Sequence, residues 1–385
     1  MRTTLSLFLL VFLLGCNEAE IAEGQLPDNV DNNQPIVKPE PTPAPGTTPP
    51  PGNAPRGILK IGILGDLNGS LGDPNYASTV KSGMGHILSS GFDIIIGTGD
   101  FTSGEDYKKK FPPSRFREMW NSFESKILNP IKEKGIPFAP SPGNHDASIE
   151  RERGYYKDFW KDKTLGVTMV STEAYPFYYS FLYKGVFFIS LDNVRTYSLR
   201  DRTVNGVTQR EWVKNQLNSE EARTAVARIA YGHVPLYPVL SKSKHSKNGR
   251  GKYYAFLGNE QQGKRSDSLE QIFKDGDLSL AVFGHSHAYY PGVVHHNNEA
   301  LEDSLRILSM PCLGHGNRYL DQRTSARSAR GYGAVTVDLE TGHVTLDAHG
   351  SDGTKVDKTK LPERIRPYSH LSIRRHDLVK KELGE

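Results

Sequence analysis

The stretch GIPFAPSPGNHDASIE, residues 135–150, runs from a short apolar segment into a turn that carries three polar side chains. Gly143 allows a sharp turn, and Asn144, His145 and Asp146 follow it directly. A surface turn is the simplest explanation of such a segment on its own, because Gly and Asn are common in tight turns. Whether this segment is a surface turn or part of a functional site therefore depends on whether other predicted strands of the chain end in the same way.

Four further apolar segments also end in a glycine that is followed by Asp or His. ILKIGILGD and FDIIIGTGD end at Asp66 and Asp100. ARIAYGHVP carries His233, and LSLAVFGHSHAYY carries His285 and His287. Short apolar runs of this kind predict buried strands, and ligands of open α/β sheets bind beyond the carboxyl ends of strands. A set of carboxylates, an amide and imidazoles gathered there would suit Mn, Fe, Zn or Ni.

Other patterns predict the elements around these strands. YASTVKSGMGHILSS and SRFREMWNSFESKILNPIKEKG predict helices between the first three strands. PFYYSFLYKGVFFISLDN predicts two antiparallel strands joined near Lys184 and Gly185, and TQREWVKNQL predicts a helix with Thr208 as its N-cap. GAVTVDLETGHVTLDAHG predicts a hairpin. Strands that alternate with helices indicate an α/β fold with helices on the sheet faces.

The ordered set of strand ends resembles the calcineurin-like metallophosphoesterase superfamily, which includes the purple acid phosphatases. The family pattern is D-x-H, G-D, G-N-H-D/E, G-H and G-H-x-H, and the matching stretches here are GDLNG, GTGDF, PGNHD, YGHVP and FGHSHAYY. The resemblance covers about residues 57–300, and the His-Ala-Tyr after the last block is similar to the purple acid phosphatase branch. It implies a two-sheet α/β sandwich, with helices flanking mixed sheets and a dinuclear metal site at one edge.

The resemblance also implies which residues hold the two metals. Asp66 and His287 would bind the first metal, and Asp100 would bridge both. The second metal would be held by Asn144, His233 and His285. Divalent or trivalent Mn, Fe or Zn ions are the expected cofactors.

The remaining residues of the GNHD block would act on the substrate. His145 would sit over the metals as the general acid or as a phosphate-binding group, and Asp146 would support its loop. The implied activity is hydrolysis of phosphate esters by a hydroxide bound between two metals, with a proton passed to the leaving oxygen. The chain is thus expected to be a phosphoric ester hydrolase.

The first block departs from the family pattern at Asn68, where D-x-H would place a histidine. The purple acid phosphatases lack this histidine as well, but they supply a tyrosine three residues after the bridging aspartate, where this chain has Ser103. An amide oxygen is a neutral and weaker ligand than imidazole. Asn68 is therefore either a replacement ligand, direct or through water, or a structural residue of its turn; Tyr107 is a less favoured substitute.

The functional classes considered for these residues are a phosphoesterase, a binding protein and a nuclease. Phosphomonoesters, nucleotides included, are the preferred substrates, and phosphodiesters are the alternative for the same site. A non-catalytic binding lipoprotein, in which the first metal site has lapsed, is the alternative from another class. A nuclease would need a long basic groove, and the formal net charge of +4 gives no support for a nucleic-acid partner.

The N-terminus predicts secretion and membrane attachment. Residues 1–16 contain the apolar run LSLFLLVFLL and end in LLGC, which is similar to a bacterial lipobox with Cys16 as the lipidated residue. An ordinary signal peptide is the alternative. Residues 17–56 are rich in proline and predict a disordered linker. The expected location is the bacterial cell envelope, anchored by lipid at the outer membrane, in the periplasm or at the surface.

The sequence further predicts one catalytic domain over residues 57–350 and a basic C-terminal tail over residues 351–385. A solvated helix or a mobile tail is favoured over an amphipathic helix that touches lipid or a partner. The basic segment 241–254 is either a loop that attracts anionic substrate or a surface insertion. His315 either lines the pocket or has a structural role. Only one further cysteine, Cys312, accompanies Cys16, so lipidation of Cys16 would exclude an intrachain disulfide.

Overall fold

The structure is a computed structural model. It describes residues 56–105, 110–195, 199, 203–240, 257, 261–314, 316, 318–320 and 328–384. The following predictions lie outside the described residues: the lipidation signal with Cys16, the linker up to residue 55, Tyr107, the segment 241–254 and His315. No helix within the described ranges is long and apolar enough to cross a membrane.

The described part of the chain contains sixteen strands. In chain order they are β1 Ile58–Leu64, β2 Ile94–Gly97, β3 Phe138–Pro140, β4 Thr168–Ser171, β5 Tyr179–Tyr183, β6 Val186–Ser190, β7 Thr203–Val204, β8 Val207–Thr208, β9 Ala227–Gly232, β10 Leu280–Phe283, β11 Tyr290–His296, β12 Leu305–Ser309, β13 Gly331–Asp338, β14 Val344–Gly350, β15 Arg364–Tyr368 and β16 Leu371–Arg375.

The same residues form nine α-helices. They are α1 Ser78–Ser89, α2 Pro113–Phe123, α3 Asn129–Glu133, α4 Asn144–Ala147, α5 Glu150–Trp160, α6 Gln209–Leu217, α7 Glu220–Thr224, α8 Leu269–Asp275 and α9 His376–Leu383. A π-helical segment, Glu124–Leu128, joins α2 to α3, and short 3₁₀ segments span Leu301–Asp303 and Lys358–Lys360.

Two mixed sheets form the framework. The five-stranded sheet has the order β14-β13-β1-β2-β3, in which β1, β2 and β3 are parallel. The nine-stranded sheet has the order β15-β16-β11-β12-β10-β9-β6-β5-β4, in which β6, β9, β10 and β12 are parallel. A two-stranded hairpin, β7 and β8, stands apart from both. The predicted fold class, an α/β sandwich of two mixed sheets flanked by helices, is confirmed.

The two sheets meet where β3 approaches β5 and β6. The hydroxyl of Tyr179 donates a hydrogen bond to the carbonyl of Pro140 at 2.6 Å, and the hydroxyl of Ser190 donates to the same carbonyl at 3.0 Å. All three residues end or begin a strand and are buried. Because β3 and β6 run toward this contact, the segments that follow their carboxyl ends lie next to each other.

Aromatic side chains hold the helices that surround β3. Phe138 of β3 stacks on Trp160 of α5 with their ring centroids 5.9 Å apart, and Trp160 also meets Phe123 of α2 at 6.0 Å. These rings are almost fully buried, and burial of large aromatic rings contributes strongly to stability. The short helix α4 lies between β3 and α5 in the chain, so this packing fixes both of its ends.

Most of the elements predicted from local patterns are present. The antiparallel strands β5 and β6 turn at Lys184 and Gly185, and Tyr183 pairs with Val186. Thr208 caps α6, accepting the N–H of Glu211 while the Glu211 carboxylate accepts the N–H of Thr208. The predicted C-terminal hairpin corresponds to β13 and β14, which pair along seven residues each.

The segment after residue 350 differs from the solvated or mobile tail that was expected. It contains β15 and β16, and β16 pairs antiparallel with β11 in the nine-stranded sheet. Helix α9 then packs against the same two strands, β11 and β16. The density of basic residues suggested a solvated segment, but Ile365, Leu371, Ile373 and Val379 alternate with them and are buried. The tail is therefore an integral edge of the sheet.

Candidate metal centre

The candidate site lies beyond the carboxyl ends of the parallel strands of both sheets. Four of its residues adopt the left-handed backbone conformation, with φ of 50° at Asp66, 58° at Asp100, 61° at His285 and 52° at His287. This conformation is uncommon outside glycine, and strained backbone of this kind clusters at functional sites. The strain turns each side chain out of its strand direction and toward a common point.

Two glycines bring the second and third strand ends into contact. Gly99 has a φ of 86°, and a Cβ atom there would lie 2.5 Å from the Cα of Gly143. A Cβ at Gly143 would lie 1.9 Å from the backbone nitrogen of Asp100. Only glycine fits at both positions, so the two loops touch and Asn144 is held beside Asp100.

The ring of His233 directs one nitrogen at three other candidate ligands. Its Nδ1 lies 2.8 Å from the carbonyl oxygen of Thr98, which can only accept a hydrogen bond, so Nδ1 carries the proton. In the neutral ring Nε2 then carries a lone pair. It lies 2.9 Å from Oδ1 of Asn144, 3.3 Å from Oδ1 of Asp100 and 3.0 Å from Nδ1 of His285. A metal ion held by these four atoms, or a proton on Nε2, would satisfy the lone pair and the carboxylate together.

The charges around His233 agree with that interpretation. Burial opposes its charged form, but the carboxylates of Asp100 and Asp66 outweigh burial and raise the pKa of His233 to about 9. Burial would also raise the pKa of Asp100, yet the charges of His233 and His145 hold it well below its ordinary value. The site therefore stabilises positive charge at a fully buried position.

The ring of His287 repeats the arrangement at the first strand. Its Nδ1 lies 3.1 Å from the carbonyl oxygen of Gly316, and its Nε2 lies 3.0 Å from Oδ1 of Asp66. Burial opposes the charged ring, but Asp66 raises the pKa of His287 to about 10. Asp66, Asp100 and His287 offer ligand atoms within 4.8 Å of one another. These three residues could therefore hold a metal ion at a second point in the site.

Backbone donors orient the two carboxylates. The N–H of His285 donates to both oxygens of Asp66, at 3.1 and 3.0 Å. The N–H of His145 donates to Oδ1 of Asp100 at 2.9 Å. Asp66 and Asp100 are almost completely buried, and these bonds connect the β1 loop to the β10 loop and the β2 loop to α4. Both carboxylates are fixed before any ion binds.

His145 lies at the more open side of the site. Its Nδ1 is 2.9 Å from the carbonyl oxygen of Gly104, so Nε2 is the nitrogen that faces the site. Nε2 lies 3.5 Å from a carboxylate oxygen of Glu105 and 3.9 Å from Oδ2 of Asp100. Burial would lower the pKa of His145, but Asp100 and Glu105 raise it above its ordinary value. His145 is therefore arranged to carry a proton.

Asp146 faces away from the site and ties α4 to the loop after β2. Its carboxylate accepts hydrogen bonds from the N–H of Phe101 at 3.1 Å, of Gly143 at 3.0 Å and of Thr102 at 2.9 Å, and from the Thr102 hydroxyl at 2.9 Å. Burial and the charge of Asp100 raise the pKa of Asp146 to about 6. Asp146 thus bonds to the loop that the sequence analysis expects it to support.

Asn68 and Ser103 occupy the part of the site where the sequence departs from the family pattern. Asn68 is 5% exposed, and among the described residues its side-chain amide has no hydrogen-bond partner. Buried amides normally have one, so this amide is suited to a ligand or to water. Ser103 accepts the N–H of Gly69 at 3.0 Å and supports the turn that carries Asn68.

The seven strand-end residues of the prediction are thus brought together, and their roles as ligands and acid stay predictions. They are Asp66, Asp100, Asn144, His145, His233, His285 and His287. Sequence reasoning missed Glu105, which pairs with His145, and Arg318, which bonds to the carbonyl of His285. It also missed the buried Cys312 near His287. Glu105 and Arg318 lie in irregular loops, and no Gly-Asp or Gly-His block marks Cys312, so the sequence gives no pattern for the three.

The fold is similar to that of a solved phosphatase structure. The purple acid phosphatase PPD1 from yellow lupin (Lupinus luteus) seeds matches with a TM-score of 0.56 and 16% identity, over 78% of this chain and 53% of that one. The present chain therefore spans about half the length of the lupin protein. A dimetal phosphatase from Danio rerio matches at a TM-score of 0.43 and 10% identity, over 74% and 93% of the two chains.

A search of curated proteins found no match. A family model gives the assignment instead, because the model of calcineurin-like phosphoesterases matches residues 59–289. The match begins in β1, ends just before β11 and contains all seven residues gathered at the strand ends. Since it covers more than half of the 385 residues, the chain belongs to the calcineurin-like phosphoesterase family.

Proposed function

We propose that this protein hydrolyses phosphate esters with two metal ions and prefers phosphate monoesters, nucleotides among them. The observation that carries the metal centre is the pair of histidines, His233 and His287. Each directs Nε2 at carboxylate or amide oxygens of other candidate ligands. Two such clusters fit the dinuclear metal centre of the family. The likeness to a purple acid phosphatase supports the monoester preference.

In this proposal Asp66 and His287 would hold one metal, and Asn144, His233 and His285 would hold the other. Asp100 would serve both. Carboxylate, amide and imidazole ligands suit Mn, Fe or Zn. When bound, the two ions would supply the positive charge that stabilises the phosphoryl oxygens and the attacking water as negative charge develops. Asn68 is proposed to contribute to the first metal, directly or through water.

His145 is proposed to supply the proton. The bond between phosphorus and the ester oxygen breaks as water attacks the phosphorus, and the leaving oxygen takes a proton from Nε2 of His145. The carbonyl of Gly104 holds Nδ1 and leaves Nε2 facing the substrate, while Asp100 and Glu105 favour the protonated ring. Asp146 holds the loop from behind and positions His145 without touching the substrate.

Hydrolysis assays that start from metal-stripped protein test the proposed function. The protein would be supplied with Mn, Fe, Zn, Mg or Ca, one metal at a time, and assayed on 4-nitrophenyl phosphate and bis(4-nitrophenyl) phosphate. We expect metal-dependent turnover with the monoester favoured, and loss of turnover in Asp100→Asn. Asp158→Asn, on the exposed face of α5, is the matched control and should retain full activity.

The outcomes separate the alternatives. A higher rate on the diester would replace the monoester preference by phosphodiesterase activity at the same site. If a folded protein showed no turnover with any of the metals, the non-catalytic binding lipoprotein with a lapsed first metal site would be favoured. Turnover that survives in Asp100→Asn would contradict the proposed metal centre.

We also propose that the protein is a lipid-anchored component of the bacterial cell envelope. The support is the apolar N-terminal run that ends in LLGC at Cys16, followed by a proline-rich segment long enough to act as a spacer. In cells that express the full chain, Cys16→Ser should move the protein from the membrane to the soluble fraction. Unchanged partition of this variant would contradict the anchor.

A further inference from the structure

Arg318 follows β12 and is fastened to the turn that carries two of the candidate ligands. Its backbone N–H donates to the carbonyl of His287 at 3.2 Å, and its Nη1 donates to the carbonyl of His285 at 3.2 Å. The carbonyl of Arg318 accepts the N–H of Ser328, also at 3.2 Å. Main chain and side chain are therefore both held against the site, so the position of the guanidinium is fixed.

The guanidinium nevertheless remains at the surface. Arg318 is exposed, whereas the His285 ring beside it is buried. A guanidinium has five N–H donors, and in the described part of the chain one of them is used, in the bond to His285. No carboxylate among the described residues forms an ion pair with Arg318. The mouth of the site thus carries a fixed cation with donors available to a ligand.

The contacts of Arg318 place it beside the candidate ligands. Its bonds go to the carbonyls of His285 and His287, two of the residues proposed to hold the metals. A phosphate group seated between the candidate ligands would therefore lie near the guanidinium.

We infer that Arg318 binds terminal oxygens of the substrate phosphate and makes the enzyme select dianionic phosphate monoesters over monoanionic diesters. A guanidinium presents a planar fork that matches two phosphate oxygens. A monoester has three terminal oxygens that share two negative charges, and a diester has two that share one. The same arginine therefore stabilises a bound monoester more. This inference rests on the proposed function and names the residue that sets its substrate preference.

A purely structural role is the competing explanation, since Arg318 also braces the carbonyl of His285. The two roles differ in what they change. A loosened His285 turn would lower the turnover of monoesters and diesters by the same factor and would leave the charge preference untouched. A lost phosphate contact would change the ratio between the two substrates.

The test compares Arg318→Gln, Arg318→Lys and Arg366→Ala in the full chain, each loaded with the same metal. Glutamine can still donate to the His285 carbonyl but has no charge, and lysine keeps the charge without the fork. Arg366 is exposed on β15, away from the site, and its variant is the matched control. Binding of inorganic phosphate is measured by calorimetry, and kcat/KM is measured for 4-nitrophenyl phosphate and bis(4-nitrophenyl) phosphate.

In Arg318→Gln we expect the affinity for phosphate and the monoester kcat/KM to fall about tenfold to a hundredfold, as for a lost charged hydrogen bond. The diester kcat/KM should fall less than about threefold. Arg318→Lys should lie between Arg318→Gln and wild type, and Arg366→Ala should match wild type. Equal losses on both esters with unchanged phosphate affinity would overturn the inference. If the wild type hydrolysed neither ester, the proposed function would fail, and the phosphate affinities alone would decide the role of Arg318.

Discussion

At the scale of single residues, the site depends on backbone carbonyls as much as on side chains. The carbonyls of Thr98, Gly104 and Gly316 each lie at hydrogen-bond distance from Nδ1 of one histidine. Each therefore places the proton on Nδ1 and directs Nε2 into the site. A histidine ligand or acid needs this second contact, because the contact selects the tautomer and the ring orientation.

His145→Ala tests the proton donor. An alkyl phosphate has a poor leaving group that needs a proton, so we expect its turnover to fall about a hundredfold to ten-thousandfold. 4-Nitrophenyl phosphate has a stable leaving group and should lose about tenfold or less, since it needs little protonation. The measurement is kcat on both substrates for wild type and variant. Equal losses on the two substrates would contradict the acid role.

The ligand residues could be predicted from the sequence, but their supporting contacts could not. Asp66, Asp100, His233 and His285 stand directly after apolar strands, and strand ends converge in this class of fold. The carbonyls that orient the rings are main-chain atoms, which every residue possesses, so no residue type marks them. Glu105 lies in an irregular loop, and its contact with His145 depends on the path of that loop.

At the scale of elements, α4 and the loop after β2 fit together only because Gly143 lacks a side chain. A Cβ there would lie 1.9 Å from the nitrogen and 2.3 Å from Oδ1 of Asp100. The φ of Gly143 is −95°, which other residues adopt freely, so the constraint is space and not backbone conformation. Gly143 carries only a hydrogen atom where other residues carry a Cβ, and this allows α4 to lie directly against the loop after β2.

Gly143→Ala should therefore destabilise the fold and weaken metal binding. We expect a loss of about 2 kcal/mol or more in the free energy of unfolding, because overpacking a tight contact forces backbone shifts. Asn144 would move with α4, so the amount of metal retained after dialysis should also fall. Urea denaturation and elemental analysis measure the two effects.

Gly154→Ala is the control, since Gly154 is an exposed residue inside α5 with no atom within 4 Å of an added Cβ. It should increase the stability by about 0.5–1 kcal/mol, because alanine favours a helix over glycine. A Gly143→Ala protein as stable and as rich in metal as the wild type would show that the contact is not tight.

Among the elements, strands with a clear apolar or alternating pattern were predicted from the sequence, and the two C-terminal strands, β15 and β16, were not. Strands β1, β2, β9 and β10 are continuous apolar runs, and β13 and β14 alternate, so their burial is evident from the sequence. Strands β15 and β16 carry several arginines, which hide the burial of Ile365, Leu371 and Ile373 in the sequence pattern. Their strand structure depends on pairing with β11, which is a tertiary contact that local sequence does not indicate.

At the scale of the whole molecule, His376 makes stability depend on pH. It begins α9 and is 5% exposed. Burial and the nearby charges of Arg306 and Lys380 lower its pKa from 6.5 to about 3. The unfolded chain therefore binds a proton more readily than the folded one between these values. Acidification below pH 6.5 favours unfolding, and the effect of this residue ends near pH 3.

His376→Phe should remove that dependence. Between pH 7 and pH 5 the wild type should lose about 2 kcal/mol more stability than the variant, since about 1.5 pH units lie below the unfolded pKa. Urea denaturation at both values measures this difference, and His86→Gln, which removes an exposed histidine of α1, is the control. The same loss in wild type and His376→Phe would show that His376 does not titrate on unfolding.

The pairing of β1 with β13, and of β11 with β16, has a consequence for synthesis in the cell. The ribosome delivers β1 first, while β13 and β16 are among the last strands to emerge. Until then, the strand that leads to Asp66 and the strand that follows His287 each lack one neighbour. Chains with such distant pairings fold slowly, and unpaired strand edges invite aggregation. The candidate metal centre is therefore completed only after almost the whole chain has been translated.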